Sequence, residues 1–300
     1  MSARLSVRGL VKRFADGRRV VDDVSFDVAA GEVVALVGES GSGKSTLARL
    51  LCGLLRADEG EVSVDRVQMV FQDPFASLNP VHTVEHHLVR PLARRGVPAH
   101  ARRDEAARLL ADVGLDPALA ARHPHALSGG QRQRVGIARA LACAPEVILA
   151  DEPTSMLDVS TRLGVLGLLR RLASERRLAI VFITHDLSSA AAVADRVLVL
   201  YAGRVVESGA TATVLRAPAH PYTRLLLSSA PRGERLAPAA SAAPREVGPD
   251  RDSACAFFAR CPRAHDRCRT TTPAPRAVAA DHHVRCHLYE EGASDHAALS

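Results

Sequence analysis

The sequence predicts an α/β fold with a mainly parallel core sheet. Continuous apolar runs of strand length recur at residues 32–37, 147–150, 179–184 and 197–201, as in strands buried on both faces. Between them, residues 46–55, 131–142, 159–173 and 188–194 carry helical apolar spacing, and strands alternating with helices argue for a sheet covered on both sides. Composition agrees. The 300 residues are 47% hydrophobic and 24% charged, which suits a folded core and excludes a mainly disordered, collagen-like or disulfide-dense chain. No apolar run approaches the ~20 residues that span a bilayer.

Along the chain, Leu5 and Val7, then Val20, Val21, Val24, Phe26 and Val28, alternate with polar residues and predict an antiparallel pair. The buried strand 32–37 stops at Gly38, a helix follows over 46–55, and strand character returns over 61–71. From about 80 to 126 the pattern is helical, with Ala106, Leu109, Leu110 and Val113 on one face, and reads as an inserted helical subdomain. Composition shifts after Pro218. Residues 231–254, with four prolines among small and charged residues, read as a linker between a 1–230 domain and a 255–300 extension. That extension has too few large apolar residues for a core of its own and needs a staple or a partner surface.

The first residues hold no continuous apolar segment of the kind a secretory signal needs, so a cytosolic chain with reduced cysteines is expected. The net charge of +6 invites a nucleic-acid reading. Yet the basic residues are almost all arginines spread along the chain, aromatics are 3% and tryptophan is absent, so no stacking platform is evident. No nucleic-acid partner is expected.

Three segments carry chemistry. Gly38-Glu39-Ser40-Gly41-Ser42-Gly43-Lys44-Ser45-Thr46 lies between a strand and a helix and matches the phosphate-binding loop G-x-x-x-x-G-K-[ST]. Its backbone N–H groups turn inward around phosphate oxygens, Lys44 reaches the β and γ phosphates, and Ser45 can ligate Mg²⁺. The strand 147–150 ends in Asp151, suited to hold Mg²⁺, and Glu152, suited to act as base on an attacking water. Between these, Leu127-Ser128-Gly129-Gly130-Gln131 opens a helix and supplies a second anion-binding N-terminus.

With these residues in this order, the chain resembles an ATP-binding cassette (ABC) nucleotide-binding subunit, a P-loop ATPase that energises a membrane transporter. In that resemblance the signature is Leu127 to Gln131, the Q-loop glutamine is Gln72, and the switch histidine is His185 in Ile183-Thr184-His185-Asp186. The D-loop is Ser155-Met156-Leu157-Asp158, and Phe14 matches the aromatic that stacks on adenine. The resemblance implies that Glu152, His185 and Gln72 are catalytic and that Ser45, Gln72 and Asp151 face Mg²⁺. It also implies a head-to-tail dimer, with a copy or a sister cassette. ATP is then sandwiched between Gly38 to Thr46 of one subunit and Ser128, Gly129, Gly130, Gln131 and Asp158 of the other.

The partners implied are two transmembrane permease subunits and, indirectly, an extracytoplasmic solute-binding protein, with this chain peripheral on the cytoplasmic face of the cell membrane. Residues 72–80 and 220–228 resemble the oligopeptide, dipeptide and nickel importer ATPases, and residues 155–160 a branch that includes oligosaccharide importers. Gln72 follows Lys44 by only 28 positions, shorter than usual in that subfamily, which implies a trimmed hairpin in the antiparallel subdomain.

Four cysteines, Cys255, Cys261, Cys268 and Cys286, lie in the tail. They resemble a motif that holds an iron-sulfur cluster in some peptide-importer ATPases. Zinc is the rival, and four free thiols in a docked tail the third reading. His265, His282, His283 and His287 are expected to be solvated. Every residue that contacts phosphate is expected upstream of position 230.

Overall fold

The computed structural model describes residues 3–229 and 254–290. The 231–254 linker therefore lies, but for Ala254, outside the described residues. In chain order the elements are β1 (Ala3–Arg13), β2 (Arg19–Ala29), β3 (Val33–Val37), α1 (Lys44–Leu51), β4 (Glu59–Val64), β5 (Val67–Val70), α2 (Pro74–Ser77), α3 (Val84–Arg94), α4 (Arg102–Asp112), α5 (Gly129–Ala142) and β6 (Val147–Asp151). They continue through α6 (Val159–Arg176), β7 (Ala179–Thr184), α7 (Leu187–Val193), β8 (Arg196–Tyr201), β9 (Arg204–Ala210), α8 (Thr211–Arg216), α9 (Pro221–Ser229), α10 (Arg267–Thr270), β10 (Pro275–Ala279) and β11 (His282–Arg285).

Among the described residues the main sheet has the order β10-β11-β9-β8-β3-β7-β6-β5, and a second sheet has the order β2-β1-β4. From β8 to β5 all neighbours are parallel, while β9, β11 and β10 continue the sheet antiparallel. The two-residue pleat divides each central strand between two cores. Ala35, Ile148, Ala150, Ile180 and Phe182 face the helices α3 to α7, and Val34, Leu36, Leu149, Val181 and Ile183 face α1 and the antiparallel sheet. Buried on both sides, these strands need the unbroken apolar runs that the sequence shows.

The antiparallel pair and the helical insert form as expected. Ala106, Leu109, Leu110 and Val113 are all buried against Leu88, Leu92 and Val135. Two expected boundaries move. The helix after the glycine-rich loop ends at Leu51, because Gly53 enters the left-handed region that stops helices. The strand expected over 61–71 divides at Asp65-Arg66: β4 pairs with β1 in the small sheet, and β5 joins the edge of the large one.

The tail builds no core of its own, and the surface it uses is the cassette. His283 and Val284 of β11 pair with Ser208 and Glu207 of β9. Phe257 is 2% exposed and packs its ring 5.2 Å from Tyr201 and 5.5 Å from Tyr222. His282 and His287, expected in solvent, are buried. The Nε2 of His282 meets buried Glu207 at 2.8 Å, and that of His287 meets the Thr271 carbonyl at 2.8 Å. A buried imidazole needs such a partner, whereas His265 and His283 on the outer face do not and are exposed.

Candidate nucleotide site

The loop Gly38 to Gly43 leaves the C-terminal end of β3 and enters α1, where a parallel sheet offers its ligand crevice. Gly43 is the N-cap of α1 at φ 106°, and a Cβ there would sit 2.4 Å from the Val20 carbonyl oxygen, so no other residue fits. Lys44 is buried. Its Nζ donates to the carbonyls of Gly38 (2.6 Å) and Glu39 (2.8 Å). Burial lowers its pKa, while the carboxylates of Glu152, Asp151 and Glu39 pull the other way, so an anion brought into the loop would further favour the ammonium.

Glu152 stands just beyond β6 in the left-handed conformation, φ 43°, with its N–H donated to the Ile183 carbonyl (2.9 Å). Its side chain lines the cleft beside the loop. Gln72 Nε2 donates to one Glu152 oxygen at 3.0 Å, and His185 Nδ1 meets the other at 2.9 Å. Residues far apart in sequence, each at the C-terminal end of its own strand, are thus one hydrogen-bonded row. Asp151 is more deeply set, and burial first, then Glu152, raises its pKa. Such a desolvated acid beside a second carboxylate suits a divalent cation, and the residue types at Ser45, Gln72 and Asp151 fit Mg²⁺.

Apart from Asp151, these groups open onto one cleft of about 1800 Å³, lined by Phe14, Ser40, Gly41, Gly43, Lys44, Ser45, Thr46, Gln72, Glu152 and His185. Phe14 sits in the β1–β2 turn and is 42% exposed, a ring offered to the cleft and not to the core. Sequence reasoning missed the opposite wall. Residues 254–256, 258–260, Arg269 and Thr270 of the tail line the same cleft, so its wall does not end upstream of position 230.

The signature residues are not in that lining. Ser128 caps α5, accepting from the Gln131 N–H (3.3 Å) while Gln131 Oε1 accepts from the Ser128 N–H (2.9 Å). At Gly130 a Cβ would sit 2.2 Å from the Thr161 methyl, which keeps the turn of α5 against α6. Asp158 caps α6 through Thr161 (2.9 Å) and Ser160 (2.7 Å), and these hydrogen bonds hold its pKa down to about 2. The Arg132 guanidinium lies 4.1 Å from the centre of the Phe75 ring, joining the signature helix to the segment just after Gln72.

The model of the ABC transporter family matches residues 21–155, and that of the oligopeptide/dipeptide transporter C-terminal region matches 206–268. A protein of Sinorhizobium fredii named as a peptide ABC transporter ATP-binding protein is 42% identical over 94% of this chain and 86% of its own. One of Brucella ovis, named as a peptide import ATP-binding protein, is 43% identical over 94% of this chain and 96% of its own. The chain belongs to the ABC transporter ATPases.

Two ABC cassettes of known structure align with it. CbiO1 from Clostridium perfringens, part of an ABC transporter complex, is 28% identical with a TM-score of 0.68 over 72% of this chain and 92% of its own. The cassette MJ0796, solved as a dimer bound to ADP and Pi, is 31% identical with a TM-score of 0.62 over 69% of this chain and 98% of its own. As an ABC ATPase, the chain binds and hydrolyses ATP, and no helix among its described residues is long and apolar enough to cross a membrane.

The four tail cysteines gather at one locus. The Cys255 N–H donates to the Cys268 carbonyl at 3.0 Å, and Cys286 feels the charges of Cys255, Cys261 and Cys268. Burial, with that mutual repulsion added, pushes the thiols of Cys255 and Cys286 up to about 11 and about 12. Among the described residues no group of three or more Cys, His, Asp or Glu is arranged to hold a metal ion.

Proposed function

We propose that this chain is the ATP-hydrolysing subunit of a peptide importer, working as a head-to-tail dimer against two permease subunits at the cytoplasmic face of the cell membrane. The observation that carries the catalytic part is the row Gln72–Glu152–His185 at the mouth of the Lys44 loop. Glu152 accepts the proton of the attacking water, Gln72 and His185 hold that carboxylate in place, and Lys44 binds the β and γ phosphates. Mg²⁺, held near Ser45, Gln72 and Asp151, supplies charge neutralisation for the phosphates. Phe14 stacks on the base. The separation of Ser128, Gly129, Gly130 and Gln131 from the cleft of their own chain supports their acting, with Asp158, on the nucleotide of a partner subunit.

The names of the relatives, and the match of residues 206–268 to an oligopeptide/dipeptide transporter region, support peptide as the transported class. Binding of iron-sulfur or zinc by Cys255, Cys261, Cys268 and Cys286 belongs to the same reading. It is supported by their convergence at one locus and requires their deprotonation.

Glu152→Gln removes the proton acceptor but keeps a partner for Gln72 and His185. It should lower ATP hydrolysis at least ~100-fold while retaining ATP binding, with the protein running as a dimer by gel filtration in ATP and Mg²⁺. A variant that hydrolyses ATP at the parental rate would overturn the assignment of the base.

A further inference from the structure

Glu39, the first variable residue of the phosphate loop, is held at every polar group. Its N–H donates to the Tyr222 hydroxyl at 2.8 Å, its carbonyl accepts from Lys44 Nζ at 2.8 Å, and its carboxylate accepts from both terminal nitrogens of Arg260, at 2.7 and 2.8 Å. Tyr222 is fully buried. Arg260 comes from the tail, 221 positions away, and its guanidinium also lies 5.9 Å from the centre of the Tyr201 ring and 5.7 Å from that of Phe257. Both Glu39 and Arg260 line the nucleotide cleft.

We propose that Arg260 is a positioning residue of the phosphate loop, and that through it the tail forms a working wall of the nucleotide site. The inference rests on the ATP site described above and deepens it. A free carboxylate at position 39 would oppose the phosphates that Lys44 attracts. A bidentate arginine neutralises that charge and fixes the peptide whose carbonyl holds Lys44. Aromatic rings beneath the guanidinium limit the geometries it can take. The hydrogen bonds of Arg260 go to Glu39 and not to Glu152, so its influence falls on nucleotide binding and leaves the chemical step alone.

The test compares ATP hydrolysis by the full-length chain and its Arg260→Gln, Glu39→Gln and doubly substituted forms, with Lys44→Ala as the control that loses nucleotide. The pair is part-exposed, 41% and 38%, so Arg260→Gln should raise the KM for ATP about three- to tenfold with kcat within about twofold. In the double variant no unpaired carboxylate remains, and KM should return to within about twofold of the parent. A packing role alone would not produce that rescue. Arg260→Lys keeps the charge without the fork and should fall between; it carries the test if the glutamine form does not fold. An unchanged KM in Arg260→Gln, or a double variant worse than either single one, would overturn the proposal. A parent chain that hydrolyses no ATP would instead overturn the reading of the site itself.

Discussion

Replacing His282 by Ala tests whether the tail is a structural continuation of the cassette. The His282 and Glu207 side chains are 5% and 0% exposed, and Glu207 is otherwise satisfied by the N–H groups of Ala219 (2.7 Å) and His220 (2.8 Å). Removing the sole partner of a buried charged group commonly costs about 3–5 kcal/mol. Here two donors remain on the carboxylate, so the loss is closer to that of one hydrogen bond to a charged group, about 1.5–3 kcal/mol. At roughly 2–4 °C per kcal/mol for a domain of this size, the Tm of the full-length chain should fall by about 3–12 °C. Thermal unfolding followed by circular dichroism measures it. His283→Ala, on the exposed face of the same strand, serves as the control and should shift Tm by no more than about 1 °C. If both variants melt with the parent, β11 contributes nothing to the sheet and the docking argument fails.

Stability should also depend on pH through His220. Burial holds its pKa down to about 3 from an ordinary 6.5, and its Nδ1 accepts the Tyr222 N–H at 3.0 Å. The unfolded chain binds the extra proton first, so the contribution is complete above pH 6.5 and is lost as pH falls from there toward 3, by at most about 1.4 kcal/mol per pH unit. Urea unfolding at pH 7 and 5.5 should show this slope reduced in a folded His220→Gln variant; an equal slope would refute it. For the cysteines, anaerobically purified protein should be brown, with the colour lost in a Cys261→Ser, Cys268→Ser double variant. Colourless protein with stoichiometric zinc would replace iron by zinc, and protein with neither metal would refute the centre.

What the sequence made legible is local or periodic. The phosphate loop is contiguous, so its glycines, Lys44 and the flanking strand and helix can be read together. The capping pair Ser128 and Gln131 is visible for the same reason. Gln72, Glu152 and His185 were recognisable only as separate motifs, each at a strand end. Their common hydrogen bonding follows from the order β5-β6-β7 at the sheet's edge, which no single segment encodes. The burial of His282 and His287 and the tail's place in the cleft were not legible because the tail's supports are long-range. Glu207 breaks the apolar pattern of β9, and such an acid in a strand is the one signal that a buried partner exists. Nothing near His282 or Arg260 in sequence names Glu207 or Glu39 as that partner.

The two family matches cover separate stretches, 21–155 and 206–268, and Glu39 is one place where they meet in space. Glu39 belongs to the first, while Tyr222 and Arg260, which hold its N–H and its carboxylate, both belong to the second. The C-terminal region is therefore more than an attachment carried by a complete ATPase. Arg260 directly precedes Cys261, and the Phe258–Arg260 turn lies between Cys255 and Cys261. A relative's tail grafted here would have to supply an arginine opposite Glu39 before its cysteines could matter to ATP.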